Sequence, residues 1–204
     1  STSDPVTHPR LPGPRPILGA MNRTEALLEQ FTWHWDTAAR PRLEGLTDDE
    51  YFWEPAPGAW NVHPRGTGTA PIQAGSGDFT IDFAFPEPDP APVTTIAWRL
   101  GHLLVGVFGA RVGSHFGGPA VDYDSYDYPG TAADALDHLD AVVALWVDGV
   151  RGLDEEALAR PVGEAEGPWA EHPMETLVLH IHREAIHHLA EIALLRDLWA
   201  NGVR

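Results

Sequence analysis

The sequence predicts an all-α fold, a four-helix bundle with a long crossover between its first and second helices that can carry a small β-hairpin. Three observations predict it. Four segments of helical length carry apolar residues at a 3.6-residue period, they are separated by stretches dense in proline and glycine, and the longest stretch, 54–92, falls between the first two segments. At 204 residues with 43% hydrophobic content and eight tryptophans, one well-buried domain is expected over 21–204. Residues 1–20 hold five prolines and no apolar period, so they read as an extended proline-rich N-terminal arm.

The first helix is expected from Asn22 to about Leu43, where Leu27, Leu28, Phe31, Trp35 and Ala38 share a flank and Pro41 introduces a kink. In LTDDEYFW, Thr47 is a natural N-cap with Glu50 at the capping-box position, which predicts a short second segment. The crossover 54–92 contains DFTIDFAF, whose alternation of Phe and Ile with Thr, Asp and Ala suits a hairpin strand. Thr94 or Thr95 caps the next long helix, TIAWRLGHLLVGVFGARVGSHF, which is apolar on most faces and ends at Gly117-Gly118-Pro119. VDYDSYDYPG then reads as a solvated loop, with tyrosines lining a pocket mouth as the alternative. Thr131 caps a helix with a Leu136, Leu139, Val143, Trp146 and Val150 stripe, DEEALARPV supplies a turn or two, and Pro173 opens the last helix, 174–200.

Charge excludes whole classes of partner. Thirty acids against thirteen bases give a formal −17, which repels phosphate backbones and anionic lipid, so neither nucleic acid nor membrane is expected. No run of about 20 apolar residues and no leader pattern is found, so a cytoplasmic protein is expected. Cysteine is absent, so a metal site can draw only on His, Asp and Glu.

The last helix poses the chemical question. Wound at about 100° per residue, His180, Glu184, His187, His188 and Glu191 fall on one side, and Leu177, Ile181, Ile192, Leu195 and Leu198 share that arc. On the preceding apolar helix, His102 faces inward with Trp98, Val105, Gly106 and Gly109. Glu184 and His188 are one turn apart and can reach one cation, with His102 closing the triangle from the facing helix. Two imidazoles and a carboxylate suit Zn²⁺, leaving a fourth position for water or substrate. A hydrogen-bonded polar network without metal fits the same spacing. His187 diverges by about 100° from His188, so it is expected beside the ligands, as are His180 and Glu191, each able to orient a ligand. His182 is expected at the surface. Leu179, Ile186 and Leu189, on the opposite side, need cover from the arm, the crossover or a second subunit, which makes a homodimer compatible with the sequence.

LLEQFTWHWDTAARPRLEGLTDDEYFWEP, TTIAWRLGHL and HPMETLVLHIHREAIHHLAEIALLRDL together resemble the DinB-like superfamily over roughly residues 22–200. The resemblance implies a four-helix bundle with a divalent metal held by one histidine of the second long helix and a pair one turn apart on the last. His102 matches the first ligand and His188 the last. The middle position is Glu184 rather than histidine, and in this the chain is similar to the mycothiol-dependent maleylpyruvate isomerases of the same superfamily. That implies one divalent metal, zinc before nickel or iron, a small-molecule substrate, and a small thiol co-substrate for transfer or isomerisation. A metal-dependent hydrolase and a non-catalytic, metal-stabilised binding or stress-response protein remain the alternatives.

Overall fold

A computed structural model describes residues 21–203; the proline-rich arm lies outside the described residues. Helix α1 runs Arg23–His34, and Asn22 and Glu25 close a reciprocal capping box at its start. The helix continues as a π-helical turn, Trp35–Ala39, and ends in a 3-10 turn, Pro41–Leu43, where the proline supplies no N–H for an α-helical bond. The short α2 (Asp48–Tyr51) is capped by Thr47, whose hydroxyl accepts from the Glu50 N–H. Glu50 does not complete the expected box. Its buried carboxylate instead takes a two-pronged bond from Arg196 near the end of the last helix, at 2.8 and 3.2 Å.

The crossover holds β1 (Val62–Pro64), β2 (Ile72–Ala74) and β3 (Phe79–Phe83), an antiparallel sheet in the order β1-β3-β2 with Ile81 opposite both Val62 and Ala74. The expected hairpin is therefore present as β2–β3, with one strand added. Asn61 ties the crossover to the next helix: its side chain accepts from the Thr95 hydroxyl at 2.7 Å, and Thr95 in turn caps that helix by accepting from the Trp98 N–H.

The second long helix is α3 (Ile96–His102), a π-helical stretch Leu103–Gly109 and α4 (Ala110–Phe116), stopped by Gly117 at φ 70°. α5 (Ala132–Arg151), capped by Thr131, α6 (Glu155–Ala159) and α7 (Met174–Ala200) follow. Four long helical units, α1, α3–α4, α5 and α7, enclose a core in which Phe31, Leu100, Leu103, Phe108, Leu139, Trp146 and Val178 are fully buried. The sheet packs against α3. A side chain at Gly101 would meet Ile81 of β3 at 2.9 Å, so the glycine lets the sheet approach beside His102.

Three surface expectations change. His182 is buried, because α7 contacts both α1 and α3 and its covered arc is wider than a single stripe. Leu189 is also core; Ile186 is half-buried, and Leu179 alone of the three is exposed. VDYDSYDYPG is only partly a solvated loop. Tyr128 is 2% exposed and packs on Tyr126.

Candidate metal centre

The site forms where α3 crosses the middle of α7. Thr95 sets the helical register of α3, so Trp98, Arg99 and His102 project toward α7 and the sheet. His102 and His188 meet edge to face, with ring centroids 4.8 Å apart and planes at 83°. His102 is sandwiched from the other direction by Trp98, stacked at 5.5 Å, within a wall that also contains Phe83 and Trp60.

Each imidazole has its Nδ1 engaged. His102 Nδ1 lies 2.6 Å from the Tyr123 hydroxyl, and His188 Nδ1 lies 2.9 Å from Glu191 Oε2. A carboxylate only accepts, so Nδ1 of His188 carries the proton and Nε2 carries the lone pair. The Tyr123 hydroxyl both donates and accepts, and in the tautomer where it accepts from His102 Nδ1–H, the Nε2 of His102 carries its lone pair as well. Arg99 bonds the same carboxylate oxygen of Glu191, and its own side chain is 17% exposed. Burial pushes the Arg99 guanidinium below its ordinary value, and the charge of Glu191 opposes that shift.

Both imidazoles are held neutral. Burial, and then the neighbouring His188, lower the pKa of His102 to about 4. Burial likewise lowers that of His188, against the raising effect of Glu191. Burial drives the Tyr123 phenol the other way, up to about 12, so it stays protonated. Glu184 stands one turn before His188: its Oε2 is 3.9 Å from His188 Nε2, and its Oε1 is held by Arg183 at 3.2 Å.

Two neutral imidazoles and a carboxylate are donor types that a divalent cation takes, but among the described residues His102, Glu184 and His188 do not form a group whose ligand atoms all lie within 4.8 Å of one another. Ligand atoms about 2.1 Å from a tetrahedral ion stand about 3.4 Å apart, close to the 3.9 Å between Glu184 Oε2 and His188 Nε2. Neutral imidazoles bound through Nε2 with Nδ1–H donated to an oxygen are the usual form of metal-binding histidine. A tighter group also exists. Ligand atoms of His187, His188 and Glu191 all lie within 4.8 Å of one another, so this His/His/Glu group can hold a metal ion as well. Its Glu191 is already shared with Arg99, and its His187 side chain is 61% exposed, with Nε2 3.5 Å from Glu191 Oε1.

The residues expected beside the ligands sort differently. Glu191 bonds His188 directly, and its salt-bridge partner is Arg99, whereas Arg196 serves Glu50. His180 sits 3.7 Å from Glu184 Oε1 and accepts from Arg183, so it touches the carboxylate side of the site. Trp98, expected on the inward strip with His102, forms the stacking wall. Arg99, one turn before His102, and Tyr123, which reaches in from the α4–α5 loop, are contributors that the sequence does not single out. Gly106 makes that reach feasible, because a Cβ there would lie 2.1 Å from Tyr123 Oη and 3.0 Å from His102 Nδ1.

Among the described residues no helix is long and apolar enough to cross a membrane. Comparison with curated proteins and with solved structures returned no match. A family model described as the DinB superfamily matches residues 68–192, more than half of the chain and a span that includes His102, Tyr123, Glu184, His188 and Glu191. The helical bundle and this match agree: the chain belongs to the DinB superfamily.

Proposed function

We propose that His102, Glu184 and His188 hold one divalent cation, zinc by donor chemistry, and that a low-molecular-weight thiol is activated there for transfer or isomerisation. The observation that carries this reading is the pairing of both Nδ1 atoms, with Tyr123 and Glu191, around two imidazoles kept neutral by burial. A cation in this set supplies Lewis acidity, which lowers the pKa of a thiol or water bound to it. The chain's own residues do the rest. Tyr123 and Glu191 fix the ring orientations, Arg99 bonds Glu191, and the Trp98 ring stacks on one face of His102.

Metal analysis of the full chain tests the ligand set. About one equivalent is expected, with less than about a tenth of that in His102→Ala and in Glu184→Ala. Retention in both variants would overturn the assignment. For the thiol, cobalt-substituted protein titrated with N-acetylcysteine should develop a thiolate-to-cobalt charge-transfer band; its absence would remove the thiol from the proposal. The compactness of the His187, His188 and Glu191 group supports a second reading, in which the cation sits one turn further along α7.

A further inference from the structure

A cavity of about 500 Å³ lies between α4, the 3-10 segment Glu164–Trp169 and the first turns of α7. Its size suits a small molecule. Two guanidiniums, those of Arg111 and Arg183, join it to the proposed centre. Arg183 lines the cavity and bonds Glu184 Oε1 and His180, while Arg111 lines it and bonds the Gly106 carbonyl, one turn from His102.

Each guanidinium has an acid partner, Glu184 for Arg183 and Glu166 for Arg111. The acid lining the cavity, Glu166, is 7% exposed and already engaged by Arg111 at 3.0 Å and His115 at 2.9 Å. Burial raises its pKa, but those two bonds outweigh it and hold the carboxyl below its ordinary value. Arg111 is therefore partnered through Nη2 to Glu166 and through Nη1 to the Gly106 carbonyl, while its Nε–H is buried without an acceptor. The Arg183 head is 70% exposed and positive, in a chain with a formal charge of −17.

The other walls are apolar and one is aromatic. Val162 and Leu177 face the cavity, and Trp169, 64% exposed, stands at it edge-on to His172, ring centroids 5.3 Å apart. A tryptophan left open beside two guanidiniums suits a flat apolar body carrying an anionic group. We infer that this cavity binds a small carboxylate with an aromatic or similarly flat apolar body, its carboxylate on Arg183 and Arg111 and its body against Trp169. This deepens the proposed function by naming the class of the second substrate, but binding itself requires only the cavity.

Calorimetric titration of the full chain with phenylacetate and with phenylacetamide tests it. Phenylacetate should bind about tenfold more tightly than the neutral amide, and Arg183→Gln should remove most of that difference. Trp169→Ala should weaken both about fivefold or more. Both positions are exposed, so the variants are expected to fold. Equal affinity for acid and amide, or wild-type affinity in both variants, would overturn the inference. His102→Ala separates this from the metal reading: loss of metal with phenylacetate binding kept leaves the cavity assignment standing. Loss of phenylacetate binding in folded His102→Ala, with Arg183→Gln unaffected, would place the carboxylate at the metal and overturn it.

Discussion

The His102 ring on α3 and the His188 ring on α7 stand perpendicular to one another, with centroids 4.8 Å apart. Two neutral imidazoles in T-shaped contact gain little from one another beyond packing. Their value lies in what each does at its far nitrogen, where Tyr123 and Glu191 hold them in place.

Replacing Tyr123 with phenylalanine removes the oxygen beside His102 Nδ1 and leaves the ring in contact with Phe83. The ring of His102 loses its orientation, and metal affinity is expected to fall about 10- to 100-fold, with the fold intact. Competition with a chromophoric chelator measures it. Unchanged affinity would show that Trp98 stacking alone orients His102.

Gly106→Ala acts on the same contact from the backbone. The added methyl cannot coexist with Tyr123 Oη at 2.1 Å, so the phenol must withdraw. Alanine gains about 1 kcal/mol of helix propensity, but displacement of a packed tyrosine costs about 1–3 kcal/mol. Net destabilisation and weaker metal binding are expected in denaturant titration and chelator competition. In a Tyr123→Phe background the same substitution should cost clearly less, since the clashing oxygen is gone. Additive effects would refute the clash.

His187→Ala and Glu191→Gln distinguish the two metal readings. His187 is exposed, so its removal should leave both stability and metal content unchanged if His102, Glu184 and His188 are the ligands. Glu191→Gln should then retain metal at about tenfold lower affinity and lose about 1–3 kcal/mol of stability, because Arg99 is left 17% exposed without its carboxylate. Loss of metal in both variants would instead locate the ion on His187, His188 and Glu191.

Local rules carried much of the fold from the sequence. Thr47, Thr95 and Thr131 cap where their hydroxyls suggested, and Gly117 ends α4 in the left-handed region. In the site, the inward positions of His102 and His188 follow from helical period, since each shares a strip with core residues. The remainder depends on contacts that no period encodes. Tyr123 arrives from a loop whose alternating acids read as solvated. Glu50 looked like a cap until Arg196, 146 residues away, took its carboxylate. Arg99 had a legible signal, three residues before His102 on the same inward strip, but its partner Glu191 sits 92 residues on. His182 shares the strip of Leu179, Ile186 and Leu189, and α7, packed against both α1 and α3, buries part of that strip as well.

That burial of His182 has a pH consequence. Trp146 donates its indole N–H to His182 Nε2 at 3.1 Å, and Phe31 stacks on the ring at 4.5 Å, so the imidazole must be neutral in the folded chain. Burial lowers its pKa to about 4, from an ordinary value of 6.5. Between those values the unfolded chain binds the extra proton and the folded chain does not, so stability is full above pH 6.5 and falls as pH drops toward 4. The total is about 3 kcal/mol, of which about 2 kcal/mol is lost between pH 7 and pH 5. His102, also lowered to about 4, pushes in the same direction when no metal competes for it. Urea unfolding of chelator-treated protein at the two pH values should show this loss. In His182→Gln, which can still accept from Trp146 but does not titrate, the loss should shrink by about 2 kcal/mol. If the variant loses as much as the parent chain, the acid sensitivity resides elsewhere.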